Sequence, residues 1–459
     1  MILKSILYVS LILIVKAEYV SYKNHKVYNV NPPTEKEAKI LNEVKSQNEY
    51  MFWLEGILIG RDNKIMVAPE KQYKFEELMA EKGLKAELVL QDLLNGMDEA
   101  IITQMKKPIN RNSNEYTFEH YLNNDEINEW MEKIAAEHPG IAYVVTIGET
   151  AEGRDIKGIV INYKWYSQSP VIGIVEGGLH AREWISPVTC MWMIKEFLTS
   201  TDPAVRAMAE DVQWHIFPVT NPDGYVYSFS DNRMWRKNRN PVYNTSCAHM
   251  NLDDDMSVGV DLNRNFGFKW MHIGASQNPC DIIYAGPSAF SEAESLALSS
   301  YILSLHGQLM YYLSMHSYSE MLLIPYSHLG GSDVLEVENY ADMFEIGVRS
   351  MDKLKEKYNT SYAVGTSLDI LYPTGGGGFD WAKGGAHIPI VFLYELRDKG
   401  RYGFLLPPEE IIPNNEEVMD SLIEMDKVVR SMGYYRANAH GIIINIILLA
   451  AGLLFAILR

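Results

Sequence analysis

Apolar positions come in two regimes along the chain. From about residue 18 to 95 they form short bursts that alternate between strand and helix periods. KVYNV (26–30) reads as a strand, and Thr34 with Glu37 forms a capping box that starts a helix running to about Glu49. YMFWLEGIL (50–58) and NKIMVAPE (63–70) read as two strands joined through Gly60-Arg61-Asp62-Asn63. FEELMAEKGL then predicts a helix ended by Gly83, and AELVLQDL a last strand. The order βαββαβ predicts a small α+β open sandwich, with helices on one antiparallel sheet.

From about residue 115 the bursts lengthen. VVTIG, KGIVINY, VIGIVE, WHIFPV, MYYLSM and PIVFLY are β-branched or aromatic strand-like runs. Helices are predicted at 125–137, 184–199, 291–305, 332–357 and 415–432. That alternation predicts an α/β domain around a largely buried sheet. Between the regimes, the segment from Leu93 to Phe118 carries Lys106, Lys107 and Arg111 among turn formers. It reads as a linker open to a trypsin-like protease.

Both ends have their own pattern. MILKSILYVSLILIVKA has the form of a signal peptide cut after Ala17, so the chain is expected to be secreted. Gly441 to Leu458 is apolar except for Asn445. This tail, behind a short spacer from about 433, admits a bare membrane span or a removable lipid-anchor signal attached at Ser431 or Asn438. Either would attach the protein to a membrane.

Composition then narrows the functional classes. With a net charge of −18 over 459 residues, nucleic acid is excluded as a partner. Three cysteines allow one bridge in an oxidising compartment. Cys247 and Cys280 flank a polar loop they can staple, whereas Cys190 lies in the apolar helix VTCMWMIKEF. Sequons begin at Asn244 and Asn359.

The chemistry concentrates in GGLHAREWISP (177–187), which leaves the strand VIGIVE through two glycines. It presents His180 and Glu183 three residues apart. A catalytic zinc takes three nitrogen or oxygen ligands and keeps one open position. His316, after the apolar run YYLSM, is the best candidate for the third ligand. His215, inside WHIFPV, reads instead as a core histidine, and His120, His138, His306 and His440 fall in helical or tail segments.

GGLHAREWISP, NPDGY (221–225), WRKNR (235–239), GVDLNRNFGF (259–268), HSYSEMLLIPY (316–326), GGGGFDWA (375–382) and ELRDKGRYGFLLP (395–407) occur in this order. Together they resemble the metallocarboxypeptidase A/B family over about residues 115–430, and the unit before them resembles that family's inhibitory pro-segment. The resemblance implies a central eight-stranded mixed sheet flanked by helices, with zinc at one edge. With the two ends read above, the expected division is a signal peptide at 1–17, an activation segment and linker at 18–111, a catalytic domain at 112–432 and a spacer with tail at 433–459.

Carried over residue by residue, the resemblance makes His180, Glu183 and His316 the ligands of one Zn2+. It makes Glu395 the catalytic carboxylate and Arg236 the stabiliser of the developing oxyanion. Asn263 and Arg264 match the pair that binds the substrate's free C-terminal carboxylate, Tyr372 the mobile tyrosine, and Arg182 a further substrate-binding residue. Phe379 stands where an acidic residue would select Lys or Arg, so peptides with apolar C-terminal residues are the expected substrates. Ser327 and Ser367 line the same pocket, Leu393 narrows it, and Pro373 directly follows Tyr372. Non-proline cis peptides are implied at Ser317–Tyr318, Pro325–Tyr326 and Arg397–Asp398. The competing readings are a carboxypeptidase B-like enzyme, which Phe379 opposes, and an inactive cell-surface peptide-binding relative, which the complete residue set opposes.

Overall fold

The computed structural model describes residues 20, 22–91, 116–167, 170–243, 246–247, 254–328 and 337–435. The signal peptide, the basic sites Lys106, Lys107 and Arg111, the Asn244 sequon and the apolar tail lie outside the described residues. Among the described residues no helix is long and apolar enough to cross a membrane.

The first unit is built as its periodicities predict. Strands β1 (Lys26–Val30), β2 (Met51–Phe52), β3 (Asn63–Val67) and β4 (Ala86–Leu90) form an antiparallel sheet in the order β2-β3-β1-β4. Helices α1 (Glu35–Lys45) and α2 (Gln72–Glu81) complete it. Thr34 caps α1: its hydroxyl accepts from the Lys36 N–H at 3.2 Å and donates to the Glu37 carboxylate. Leu41 and Val44 of α1 and Phe75 and Met79 of α2 close over Tyr28 and Val30 of β1. One expectation fails here. Of YMFWLEGIL only Met51–Phe52 pairs as a strand. The rest of the run is apolar because it faces the second unit: Trp53 is fully buried against Tyr318 and Phe404.

The second unit holds a mixed eight-stranded sheet in the order β11-β10-β12-β9-β7-β8-β6-β5. Its strands are β5 (Ala142–Glu149), β6 (Asp155–Ile161), β7 (Val171–Glu176), β8 (Val212–Phe217), β9 (Gln308–Ser317), β10 (Met321–Ile324), β11 (Ala363–Thr366) and β12 (Ile390–Leu396). The four strands β12, β9, β7 and β8 run parallel, and β10 and β6 flank them antiparallel. Alternate residues feed opposite faces: Val175 points into one core and Ile174 into the other. The first core is covered by α3 (Asn124–Glu137), α4 (Ile185–Thr199), α5 (Pro203–Asp211), α8 (Tyr340–Tyr358) and α11 (Ile411–Ser431). The second is covered by α7 (Ala293–Ser304) and α10 (Gly378–Gly384). Two further helices, α6 (Pro222–Ser230) and α9 (Ser367–Ile370), carry loops around the site.

Cys247 and Cys280 form a disulfide, and Cys190 is a buried free thiol. The three expected cis peptides are present at Ser317–Tyr318, Pro325–Tyr326 and Arg397–Asp398. Because β7, β9 and β12 are parallel, their carboxyl ends open on one crevice, where ligands of such sheets bind.

Candidate active site

The chain leaves β7 through Gly177 and Gly178 because nothing larger fits. A Cβ on Gly177 would lie 2.8 Å from the Cys190 sulfur, and Gly178 has φ +60 with its Cβ position 2.9 Å from the Pro218 carbonyl. The turn is pinned where the Gly177 N–H meets the Phe217 carbonyl and the Gly178 N–H meets Ser186 Oγ, both at 2.9 Å. This tight exit swings His180 back over the strand end, and one helical turn before α4 brings Glu183 beside it.

His316 does not lie beyond its apolar run. It is still within β9, paired in register with Glu395 of β12. Its Nδ1 lies 3.0 Å from His180 Nδ1 and 3.0 Å from Glu183 Oε2, while His180 Nδ1 lies 2.8 Å from Glu183 Oε1. All three side chains are buried. Two imidazole nitrogens facing each other beside a carboxylate form a nest of lone pairs suited to a cation. Around a tetrahedral zinc with bonds of 2.0–2.1 Å, neighbouring ligand atoms stand about 3.3 Å apart. The donor set therefore fits zinc with small adjustments.

Behind the nest, Asp261 ties the site together. His180 Nε2 lies 3.2 Å from its Oδ1, and Arg236 donates Nε and Nη2 to its Oδ2 at 3.1 and 3.0 Å. The Asn263 N–H donates to it at 3.0 Å. Arg236 in turn reaches to 3.9 Å from Glu183. Burial works against the Arg236 charge, but Asp261, Glu55 and Glu183 outweigh it and hold the guanidinium charged. Desolvation and the Glu183 carboxylate push Glu395 up to about 8. A divalent cation in the nest opposes that shift.

Next to the nest, one cavity is lined by His180, Glu183, Arg236, Asn263, Arg264, Ser317, Leu323, Ser327, Ser367, Leu371, Tyr372, Phe379, Leu393 and Glu395. Of the residues expected to bind metal or substrate or to act in catalysis, two do not line this cavity: His316, which stands in the nest beside it, and Arg182. Arg264 is held by its Nε to the Gly274 carbonyl at 2.7 Å, and Asn263 Oδ1 accepts the Gly378 N–H at 2.9 Å. Arg182 does not line the cavity. It is fully buried, its Nη2 donating to the Trp53 carbonyl at 3.0 Å and to Glu55 at 3.1 Å, with Phe404 below its guanidinium. Trp53 and Leu54 of the first unit also line the cavity, and Gly56 backs onto the Tyr372 ring.

Two contributions were not read from the sequence. Asp261 stood inside the quoted GVDLNRNFGF, but nothing in its spacing pointed to His180. Glu55 stood inside a run read as a strand.

Residues 127–421 match the family described as Zinc carboxypeptidase, and residues 28–99 match Carboxypeptidase activation peptide. Zinc carboxypeptidase A 1 of Drosophila melanogaster is 37% identical over 428 residues, covering 92% of this chain and 95% of that protein. Carboxypeptidase B of Bos taurus is 32% identical over 410 residues, covering 87% and 91%. The crystal structure of the carboxypeptidase A from Helicoverpa armigera superposes with a TM-score of 0.78 at 27% identity, covering 90% of this chain and 99% of that one. With the donor nest, the sheet and the preceding unit in place, the chain belongs to the zinc carboxypeptidase family, as an enzyme made with that family's activation peptide.

Proposed function

We propose that this zymogen yields a secreted, A-like carboxypeptidase that removes apolar C-terminal residues from peptides. The observation that carries the reading is the side-chain end of the cavity. Phe379, Leu323, Leu371 and Leu393 line it with Ser327, Ser367 and Thr374, and no charged side chain stands among them. An apolar side chain gains roughly 1.5–3 kcal/mol from full burial there, whereas an unpaired Lys or Arg charge is penalised by several kcal/mol.

Placement around one cavity and the family resemblance together support the following roles. His180, Glu183 and His316 would hold the metal, which when bound would supply a Lewis-acid charge for a carbonyl and for water. Asn263 and Arg264 bind the substrate's terminal carboxylate, Arg264 presenting a planar guanidinium suited to it. Arg236, fixed by Asp261, faces the oxygen on which negative charge grows, and a preorganised guanidinium stabilises that state more than the ground state. Glu395 takes a proton from water and returns it to the leaving amine. Tyr372 closes over the bound chain end. Arg182, held by Glu55 before activation, becomes free to contact a residue upstream of the scissile bond.

In the same reading residues 1–17 are a signal peptide and 18–111 the activation segment and linker. A trypsin-like protease cuts at Arg111, with Lys107 as second choice, and the catalytic domain spans 112–432. Residues 433–459 are the spacer and tail, a route to membrane attachment. The Cys247–Cys280 bridge supports an oxidising compartment.

The test is to treat purified proform with trypsin, then assay matched peptides ending in Leu, Phe and Lys with and without chelator. Leu and Phe ends should be cleaved at least ~10²-fold faster than Lys ends. Chelation should abolish hydrolysis and added zinc restore it. Equal rates on Lys and Leu would overturn the A-like reading, and undiminished turnover in metal-free protein would overturn the assigned ligands.

A further inference from the structure

The proposed reaction makes no use of the two sequons. That at Asn244 lies outside the described residues, while Asn359-Thr360-Ser361 forms the turn between α8 and β11. Asn359 ends α8. It takes φ 59 and ψ 22, the left-handed conformation in which many helices close, and its N–H meets the Lys355 carbonyl at 2.9 Å. Asparagine enters that conformation more readily than most residues with a side chain. Ending the helix therefore accounts for Asn359 by itself, but it asks nothing of the residue two places on.

Along the turn, burial alternates. Thr360 is anchored inward: its hydroxyl donates to Glu417 of α11 at 2.8 Å and accepts from Arg397 Nη2 at 2.9 Å. Tyr362, 7% exposed, packs into the first core. Asn359 and Ser361, between and before them, are exposed. The two residues that define the sequon thus face water together, while the middle residue holds the turn to the body of the second unit. An N-glycan is bulky and hydrophilic, and a folded chain carries one only where the asparagine side chain opens to solvent.

We propose that Asn359 is a modification site: it carries an N-linked glycan that stays on the catalytic unit and stands beside the groove between the two units. The donor is a lipid-linked oligosaccharide diphosphate. The Asn359 amide nitrogen bonds to the anomeric carbon of the first sugar, the bond from that carbon to the diphosphate oxygen breaks, and the lipid diphosphate leaves with the electron pair. The amide gives up one proton, and the Ser361 hydroxyl marks the site for the transferase. An oxidising compartment is where this transfer takes place, and the Cys247–Cys280 bridge supports passage through one. Ser361, Tyr362 and Ala363 line one side of the groove, and Arg61 and Asp62 of the first unit line the other. No sequon lies between residues 18 and 111. Cleavage of the linker therefore removes one wall of the groove and leaves all the carbohydrate with the enzyme, next to the wall that activation exposes.

The inference rests on the secreted reading, so its test separates the two. The full chain is expressed in animal cells with its own N-terminus, and the proform is purified from the medium. It is treated with peptide N-glycosidase in heavy-oxygen water, and its peptides are mapped by mass spectrometry. Residue 359 is expected to appear as heavy-labelled Asp in most molecules. Ser361→Ala keeps the asparagine that ends α8 but should lose the label at 359, whereas Ser361→Thr should keep it. After trypsin, the loss of mass on deglycosylation should follow the catalytic fragment and not the released segment. A secreted proform with Asn359 unlabelled overturns the proposal, as does a label that persists in Ser361→Ala. If Ser361→Ala is not secreted, the wild-type map decides alone. A chain that stays inside the cells with residues 1–17 attached refutes the secreted reading instead.

Discussion

Asp261 receives hydrogen bonds from Arg236 and from the Asn263 N–H, and it lies against His180 on the side away from the nest. With zinc held at His180 Nδ1, Nε2 would carry the proton and Asp261 would fix that tautomer. Partners of this kind govern metal affinity by about 10–100-fold. Asp261→Asn should therefore weaken zinc binding within that range and lower kcat/KM at saturating zinc, because Arg236 also loses its anchor. A competition titration against a chromophoric chelator checks the first effect, and unchanged affinity would leave Asp261 with a purely structural role. The sequence reveals His180 and Glu183 because two metal-binding side chains three apart after a glycine pair have few other uses. His316 was legible as a candidate and became firm only through resemblance. Asp261 had no such signal: an isolated aspartate in a loop acquires meaning when folding removes it from water beside an arginine.

Elements follow the same division. The strands β7, β9 and β12 announce themselves as unbroken apolar runs because both their faces are buried. β10 and β11 do not, being four residues each and, in the case of AVGT, barely apolar. The short helices α6 and α10 hide behind glycines, although α6 starts at a local cap, where the Asn221 side chain accepts the Gly224 N–H at 2.9 Å. The predicted 332–357 helix instead runs Tyr340–Tyr358 within the described residues. In β8, His215 is the core histidine its strand pattern implies, 1% exposed, with Tyr301 Oη 2.8 Å from Nδ1. Desolvation lowers it to about 4, against about 6.5 in an unfolded chain. Between those values the unfolded state binds the proton and the native state does not. Its stabilising contribution is therefore complete above about pH 6.5 and is lost as pH falls toward 4, by roughly 3 kcal/mol. The urea midpoint of the wild type should fall more steeply from pH 7 to 4.5 than that of His215→Gln. Parallel slopes would show that His215 takes no part in acid sensitivity.

At the scale of the whole molecule, two units meet through a short strip that the sequence disguises as a strand. Trp53 and Leu54 enter the cavity, Gly56 lies against Tyr372, and Arg61 donates to the Ile370 carbonyl at 3.1 Å just before that tyrosine's loop. The centre of the strip is Glu55, with 3% of its side chain exposed, between Arg182 at 3.1 Å and Lys45 at 3.7 Å. Burial pushes Glu55 up, but Lys45, Arg236 and Arg182 outweigh it and hold it below the usual carboxylate range. The pair therefore stays ionised through mildly acid pH. Removing one partner of a buried pair strands the other charge, at a cost of about 3–5 kcal/mol. In Glu55→Ala that charge is Arg182, and it can regain water only if the strip lifts from the cleft. The intact Glu55→Ala proform should consequently cleave long apolar-ended peptides at least ~10-fold faster than the wild-type proform, since every 1.4 kcal/mol released toward the open state is tenfold in its population. After trypsin the two enzymes should be indistinguishable, because Glu55 leaves with the activation segment. A mutant proform as latent as the wild type would mean that Trp53 and Leu54 alone close the cleft, and that the Glu55–Arg182 pair only orients them.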